Sequence, residues 1–323
     1  MEAIQTLTCL AYIIVFPGLI FLVVYSLFCE WFDRKLYAKM QNRVGPPIFQ
    51  PFADFIKLMT KEDIIPKGVN PKIVNGIPIF ALAAVATAFL YLPIFEDFTL
   101  FSFQGDLIVV LYLLTLPSLC LFLMGWYSKN PYGVVGATRT LTQVFSYEAA
   151  FLISLLGPAL LAGTWRISEI VRFQSDPTGL GYWVILAQPI GFVVAIISLQ
   201  GKLERIPFDI PEAETEIVAG PLVDYTGRKI GFFRLIMDME MVAGAGLISA
   251  LFLGGFTNIL GFPYTSFIVF IVLTLIIVFL LSVIRTVFAR LRIDQMATVF
   301  WKYLVGLSLI QLLLAAVERM AIA

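Results

Sequence analysis

Histidine is absent from this 323-residue chain, and cysteine occurs only three times. Cys9, Cys29 and Cys120 lie in or at the ends of apolar runs with no second thiol at a ligand-like spacing, so each reads as a small core residue. Zinc sites, haem and iron–sulfur clusters need histidines or grouped cysteines. The expectation is a chain that binds no metal or cofactor itself, with any redox centre carried by a partner. Walker sequences and glycine-rich phosphate loops are also missing, so energy from ATP is not indicated. Charge is the third shortage. Asp, Glu, Lys and Arg form 14% of the residues against 60% apolar types, 22 bases balance 22 acids, and mean hydropathy is +0.92. A water-soluble globule carries far more charge, and an even balance suggests no nucleic-acid partner.

What the chain has instead is long apolar runs. A helix needs about 20 apolar residues to cross a hydrocarbon layer roughly 30 Å thick. Eight such runs occur, over about 7–29, 76–94, 107–127, 141–162, 182–200, 237–255, 266–284 and 301–317. Strands would leave backbone groups unpaired in lipid, and the runs lack the alternation of a membrane barrel. The fold class expected is an all-α integral membrane protein of about eight transmembrane helices. No tandem repeat or low-complexity linker divides it, so residues 1–323 are expected to form a single polytopic domain. The loops after the first, third, fifth and seventh runs hold 19 of the 22 basic residues when Lys302 is counted with them. Basic residues stay on the cytoplasmic side, which places both termini outside and the long loops, about 33–75 and 201–236, in the cytoplasm. With no basic segment before it, the first run reads as a retained helix and not as a signal peptide.

Four polar islands interrupt this pattern. In the first, Phe52, Phe55, Ile56, Leu58 and Met59 alternate at helical spacing with Asp54, Lys57, Lys61 and Glu62, as in an interfacial amphipathic helix that starts near Gln50 and Pro51. It serves either as a solvated surface helix or as one wall of a cavity. The second island puts Glu148 several residues inside the fourth run, behind Gln143 and Tyr147. An isolated carboxylate in the membrane is costly, so it is paired or used: a proton or ion pathway, or a structural hydrogen bond. The third packs Glu204, Asp209, Glu212, Glu214 and Glu216 into 13 residues. Asp209, Pro211 and Glu212 resemble a helix start, and helical geometry would set Glu212 and Glu216 on one face. Crowded carboxylates raise one another's pKa and suit a proton relay; five solvated acids are the alternative. The fourth holds Arg285, Arg290, Arg292, Asp294 and Lys302. Anchoring explains much of it, but Arg285 could pair with the third island's acids, with Asp238 and Glu240 as further members of such a network.

Five motifs in this order resemble the H-subunit family of respiratory complex I and of energy-converting membrane-bound hydrogenases. They are Asp33, Arg34 and Lys35 followed by Gln41, Arg43, Gly45 and Pro46; QPFADFIKL from Gln50; SYE ending at Glu148; RIPFDIPEAETEIVAG from Arg205; and RLRIDQM ending at Met296. The resemblance covers nearly the whole chain. It implies a membrane component that joins a peripheral electron-transfer arm to an ion-pumping membrane arm and walls a cavity near the partner's terminal iron–sulfur cluster. It further implies that Asp33, Glu148, Glu212, Glu214, Glu216 and Glu240 connect that cavity to a hydrophilic axis, with Arg34, Arg139, Arg285 and Arg290 as partners. Glu204, Asp209 and Asp238 are candidates for the same pathway. Lys35, Arg43, Lys202, Arg205 and Arg292 are candidate charge partners, and Gln41, Gln50, Pro51, Asp54, Lys57 and Asp294 are candidates for the cavity wall or for docking.

Two departures point within the family. Only Pro47, Ile48 and Phe49 separate Pro46 from Gln50, and Lys202 stands where quinone-reducing members carry a glutamate. Both weaken a quinone reading, and the short spacing resembles the hydrogenase and sulfane-reductase branch. The function expected is therefore that of a non-catalytic anchor and coupling subunit of a ferredoxin-linked, ion-translocating complex in the plasma membrane of a prokaryote. Its partners would be iron–sulfur and large hydrogenase-like subunits, with nickel–iron chemistry on the latter in a hydrogenase, and antiporter-like membrane subunits. A quinone-binding H subunit of an NADH or reduced-deazaflavin dehydrogenase is the alternative, and a self-contained secondary ion transporter is a second one.

Overall fold

A computed structural model of the chain describes residues 10–66, 68–94, 101–175, 184–254 and 265–322, without the side chains of 214, 215, 321 and 322. Its principal helices are α1 (Leu19–Met40), α2 (Gln50–Thr60), α3 (Pro71–Leu90), α4 (Asp106–Tyr127), α5 (Pro131–Ala162), α6 (Ile167–Ser175), α7 (Pro189–Lys202), α8 (Arg228–Phe252), α9 (Thr265–Val287) and α10 (Ile293–Met320). Among the described residues, α1 (continuing a helical stretch from Leu10), α3, α4, α5, α8, α9 and α10 are long and apolar enough to cross a membrane. The fifth apolar run, whose first residues lie outside the described ones, is different. It forms a single turn at Val184–Ala187 and then the 14-residue α7, which at 1.5 Å per residue rises about 21 Å. Pro189 causes the interruption, because it lacks an amide proton and disfavours helical geometry in the residue before it. Buried Gln188 holds the break against α5 by donating to the Gly157 carbonyl at 3.2 Å.

Capping residues set several helix starts. Asn70 and Asn130 accept hydrogen bonds from the amides of Lys72 and Tyr132, each with proline at the first helical position. Two helices begin well before their apolar runs, α5 at Pro131 and α8 at Arg228. An apolar run marks the part that lipid must cover, whereas the hydrogen-bond ladder continues outward until a cap ends it. Arg139 and Arg234, outside the apolar runs, therefore sit on helices. The expected helix start at Asp209–Glu212 does not form. Pro211 and Glu212 lie in a turn, the following helix is the four-residue Glu214–Ile217, and the residue that precedes it is Ala213. Ile210, Ala213 and Ile217 are buried, and Gly220 packs so closely on the Pro211 carbonyl that a Cβ there would lie 1.8 Å from its oxygen. Burial of these apolar groups, together with that contact, folds the segment back on itself.

α8 is the hub: 89% of its most apolar window is buried, and it packs on α1, α3, α7, α9 and α2. Small residues allow the close approach. A Cβ on Gly244 would fall 2.4 Å from Leu199 Cδ1, and Gly231 lies directly under Leu58 and Met59 of α2. The amphipathic α2 begins where expected, with Pro51 buried in its first turn, but it ends at Thr60, so Lys61 and Glu62 lie beyond it, and of the five apolar residues named for its inner face Ile56 points outward. The outer helices present Ile20, Val24, Ile268, Val272, Leu313 and Val317 to the surroundings, as lipid-facing helices must.

The loops after α1, α4, α7 and α9 meet on one face. Lys129 donates to the Gly68 carbonyl (2.6 Å), Asn130 to Asp224 (2.7 Å), Thr226 to the Glu62 carbonyl (2.9 Å) and the Leu291 amide to the Pro207 carbonyl (3.0 Å). Lys229 pairs with Asp63 at 2.5 Å. These are the loops in which the basic residues concentrate. Gly136 on α5 lies against the backbone of Gly220 and Pro221, with 2.7 Å available for a Cβ, while nothing lies within 4 Å of a Cβ at Gly76. Gly136→Val is expected to destabilise the protein by about 1–3 kcal/mol through overpacking. Gly76→Ala should be neutral or stabilising by up to about 1 kcal/mol. Thermal unfolding of the two variants in detergent checks the contrast.

Candidate functional site: a line of buried charges

The RIPFD segment leaves the end of α7 and enters the bundle interior. Gln143 of α5 clamps it by donating to the carbonyls of Gly201 and Phe208, both at 2.7 Å, and Gln200 donates to the Ile206 carbonyl at 2.6 Å. Arg205 is thereby held among three carboxylates. Its guanidinium meets Asp33 at 2.9 Å, Glu30 at 2.7 Å and Asp238 at 3.3 Å. Asp33, with a side chain only 1% exposed, also binds Arg285 at 2.7 Å and accepts from Ser282 at 2.6 Å. Glu30 binds Arg34 at 2.6 Å, and Arg34 continues to Asp54 at 2.9 Å, where Gln50 donates to the second carboxylate oxygen at 2.9 Å. One network thus ties α1, α2, α8, α9 and the loop together. Charge-assisted, forked contacts of this kind suit arginine and not lysine. Burial works against the Arg205 charge, but Asp33, Glu30 and Asp238 outweigh it and hold its pKa above the ordinary value.

A cavity of about 320 Å³ opens beside this network, walled by Arg34, Glu204, Arg205, Glu212, Asp238 and Arg290 among others. Its lining is dominated by ionisable groups, so it suits water and protons better than an apolar ligand. Glu204 stands at the inner end, buried, with its backbone in the left-handed region (φ +50°) and its Oε2 without a hydrogen-bond partner. Burial, reinforced by Glu212 and Glu240, pushes its pKa well above the usual carboxylate range. Behind it, Lys202 is completely enclosed and lies 3.2 Å from Glu148 and 3.8 Å from Glu240. The Tyr147 and Phe151 rings flank the ammonium at 5.2 and 5.6 Å, and the Tyr147 hydroxyl donates to Ser118 at 3.0 Å. Ionisable groups therefore run from the cavity through Glu204 to Glu240, Lys202 and Glu148.

The third island divides: Glu204, Asp209 and Glu212 stay together on the wall of this cavity, whereas Glu216 lines another. Glu204 turns inward, Asp209 pairs with Arg290, and Glu216 pairs with Arg139. Glu212 is exposed, and the side chain of Glu214 lies outside the described ones. The expected shared face for Glu212 and Glu216 fails because Glu212 precedes the short helix. Arg285 binds Asp33 instead of the third island's acids, since α9 packs beside α1. Lys35 donates to the Val44 carbonyl at 2.9 Å and not to a carboxylate. Among the described residues Arg43, Lys57 and Arg292 make no ion pair; all three are exposed. Arg292 precedes α10, where its amide donates to Gln295 at 3.1 Å, and it lines a second cavity of about 270 Å³ with Arg139, Arg290 and exposed Asp294. Gln41 ends α1 through its backbone. Cys29 and Cys120 are buried and free, as core residues should be, while Cys9 lies outside the described residues. Sequence reasoning passed over Glu30, Ser118 and Ser282. Glu30 carried a usable signal, an acid four residues before Arg34 at the end of an apolar run; the two serines carried none.

A helical membrane bundle with a charged cavity on its basic face and a line of ionisable groups leading inward defines a polytopic membrane protein with a polar interior. The family described as NADH dehydrogenase matches residues 12–316. The NADH-quinone oxidoreductase H subunit of Dehalococcoides mccartyi (strain CBDB1) is 35% identical over 315 residues, covering 96% of this chain and 86% of the relative. One of the NADH-quinone oxidoreductase H subunits of Geobacter metallireducens is 36% identical, covering 92% of this chain and 93% of its own length. A chain in the structure of the membrane-bound sulfane sulfur reductase, an archaeal respiratory membrane complex, superposes with a TM-score of 0.83 at 28% identity, over 92% of this chain and 96% of that one. The chain belongs to the NADH dehydrogenase H-subunit family.

Arg205→Ala would leave three acids around an uncompensated site and is expected to cost about 3–5 kcal/mol. Arg205→Lys should recover part of this, since it restores the charge but not the fork; unfolding in detergent ranks the three proteins. Glu204 makes a pH-dependent prediction. The folded state holds its proton to higher pH than the unfolded chain, whose glutamates titrate near about 4.3. Raising the pH above that value therefore destabilises the native state until Glu204 itself ionises. Glu204→Gln should flatten this part of the stability profile and remove one protonated-carboxyl band from the infrared spectrum near neutral pH.

Proposed function

We propose that this chain is the membrane anchor and coupling subunit of a ferredoxin-linked, ion-translocating complex of the membrane-bound hydrogenase or sulfane-reductase type, in the plasma membrane of a prokaryote. The observation that carries the reading is the line of ionisable groups from the cavity beside Arg205, through Glu204, to Glu240, Lys202 and Glu148. Buried charge is costly and is retained in membranes mainly along ion and proton routes. The cavity sits among the loops on the basic face, where the positive-inside rule places the cytoplasm and where a peripheral arm would dock. Electron transfer in that arm changes local charge, shifts proton affinity at Glu204 and its neighbours, and drives proton or sodium movement along the line. Iron–sulfur clusters, and nickel–iron in a hydrogenase, belong to the peripheral partners, and antiporter-like subunits extend the membrane arm. The structural likeness to the sulfane sulfur reductase chain, the short Pro46–Gln50 link and Lys202 favour this branch.

The names of the curated relatives favour a second reading, in which the cavity serves a quinone; the charged walls speak against a lipid-soluble ligand. A quinone co-purifying with the complex would decide for it. Transport by the chain alone is a third reading, and coupled uptake by the chain reconstituted without partners would establish it. For the first reading, Glu148→Gln and Glu240→Gln are expected to leave ferredoxin oxidation by the detergent-solubilised complex intact and to abolish the ion gradient in vesicles. Full gradients in both variants would overturn the coupling role.

A further inference from the structure

Lys202 is a lysine with no accessible side-chain surface, placed between two carboxylates on two different helices. Its ammonium has three protons to donate, yet only one hydrogen bond is made, to Glu148 Oε2; the Glu240 oxygen stands farther off at 3.8 Å. Glu148 Oε1 and Glu240 Oε1 are both buried without a hydrogen-bond partner. A static counter-charge would be expected to satisfy both acids, as Arg205 does for its own. The asymmetry, the flexible four-carbon stem and the surrounding Tyr147 and Phe151 rings describe a cation with two berths. A cavity of about 10 Å³ between Ser118, Glu204, Lys202 and Glu240 is close to what a single water needs and connects this group to Glu204.

We infer that Lys202 is a two-position switch that passes one proton between Glu240 and Glu148; this rests on the coupling role proposed above. In the arrangement seen, the ammonium neutralises the Glu148 carboxylate and one proton is held on the Glu240 carboxyl. When that proton moves to Glu148, the ammonium turns to the Glu240 carboxylate. The O–H bond breaks on Glu240 and forms on Glu148, Lys202 keeps its three protons, and the triad is neutral before and after. Lys202 never gives up a proton; it sets which acid can hold one, and is thus a positioning residue.

The test uses the whole complex in sealed vesicles, with ferredoxin as donor, and compares the unaltered protein with Lys202→Arg and Lys202→Met. Arginine keeps the charge and presents a fork able to hold both carboxylates at once, so the Arg variant should assemble and oxidise ferredoxin in detergent normally while its ion gradient forms about tenfold more slowly. The Met variant should lose the gradient if it assembles. An Arg variant that builds the gradient at the unaltered rate would show Lys202 to be a fixed counter-charge and would overturn this inference alone. An unaltered complex that oxidises ferredoxin without building any gradient would overturn the coupling role and the inference with it.

Discussion

Arg205 among Asp33, Glu30 and Asp238 is the contact on which the rest of the interior depends. Ionisable groups withdrawn from water are tolerable only when they are paired at hydrogen-bond distance, and that condition fixes where the surrounding elements must be. Glu30 and Asp33 belong to α1, Asp238 to α8, and Arg285, the second partner of Asp33, to α9. Arg205 itself belongs to none of them. It comes from the loop after α7, which Gln143 and Gln200 hold in register. Helices that could slide against one another on apolar contact alone are thereby locked at one depth.

That lock has a chemical consequence. With the loop fixed, Glu204 is forced inward by its left-handed backbone to a place where no arginine reaches it, and the next residues along the same path are Glu240, Lys202 and Glu148. The two halves of the site differ in kind. Around Arg205 the forked guanidinium reaches three acids at once. Around Lys202 a point charge on a flexible stem faces two acids unequally. The packing hub joins the two halves: α8 carries both Asp238 and Glu240 and touches most of the bundle through small residues.

Much of this was legible in the linear chain. Apolar length located the spans, the basic residues singled out the four loops that gather on one face, and the period of residues 50–60 described α2. Glu148 was conspicuous because its surroundings in the sequence are apolar, and Lys202 because it departs from the family's motif. Less visible was how far helices extend into polar sequence, since α5 and α8 start where a cap or a turn ends the chain's freedom and not where hydropathy changes. The acidic run from Glu204 to Glu216 was legible only in part, for a related reason. Glu204, Asp209 and Glu212 do gather on one cavity wall, but burial of Ile210, Ala213 and Ile217 folds the segment so that Asp209 pairs with Arg290 and Glu216 is carried away to Arg139.

By itself, then, the sequence determined the solvent, the helical class, the basic face and the family, because hydropathy, charge count and ordered motifs are properties of a chain read in one dimension. Only the tertiary structure decided the pairings: Arg285 with Asp33 and not with the acidic run, Glu30 as a full member of the network, Lys202 between Glu148 and Glu240. Those depend on which helices are neighbours and at what depth. In a low-dielectric interior a difference of a few ångströms separates a compensated charge from an intolerable one, and no pattern along the chain records that distance.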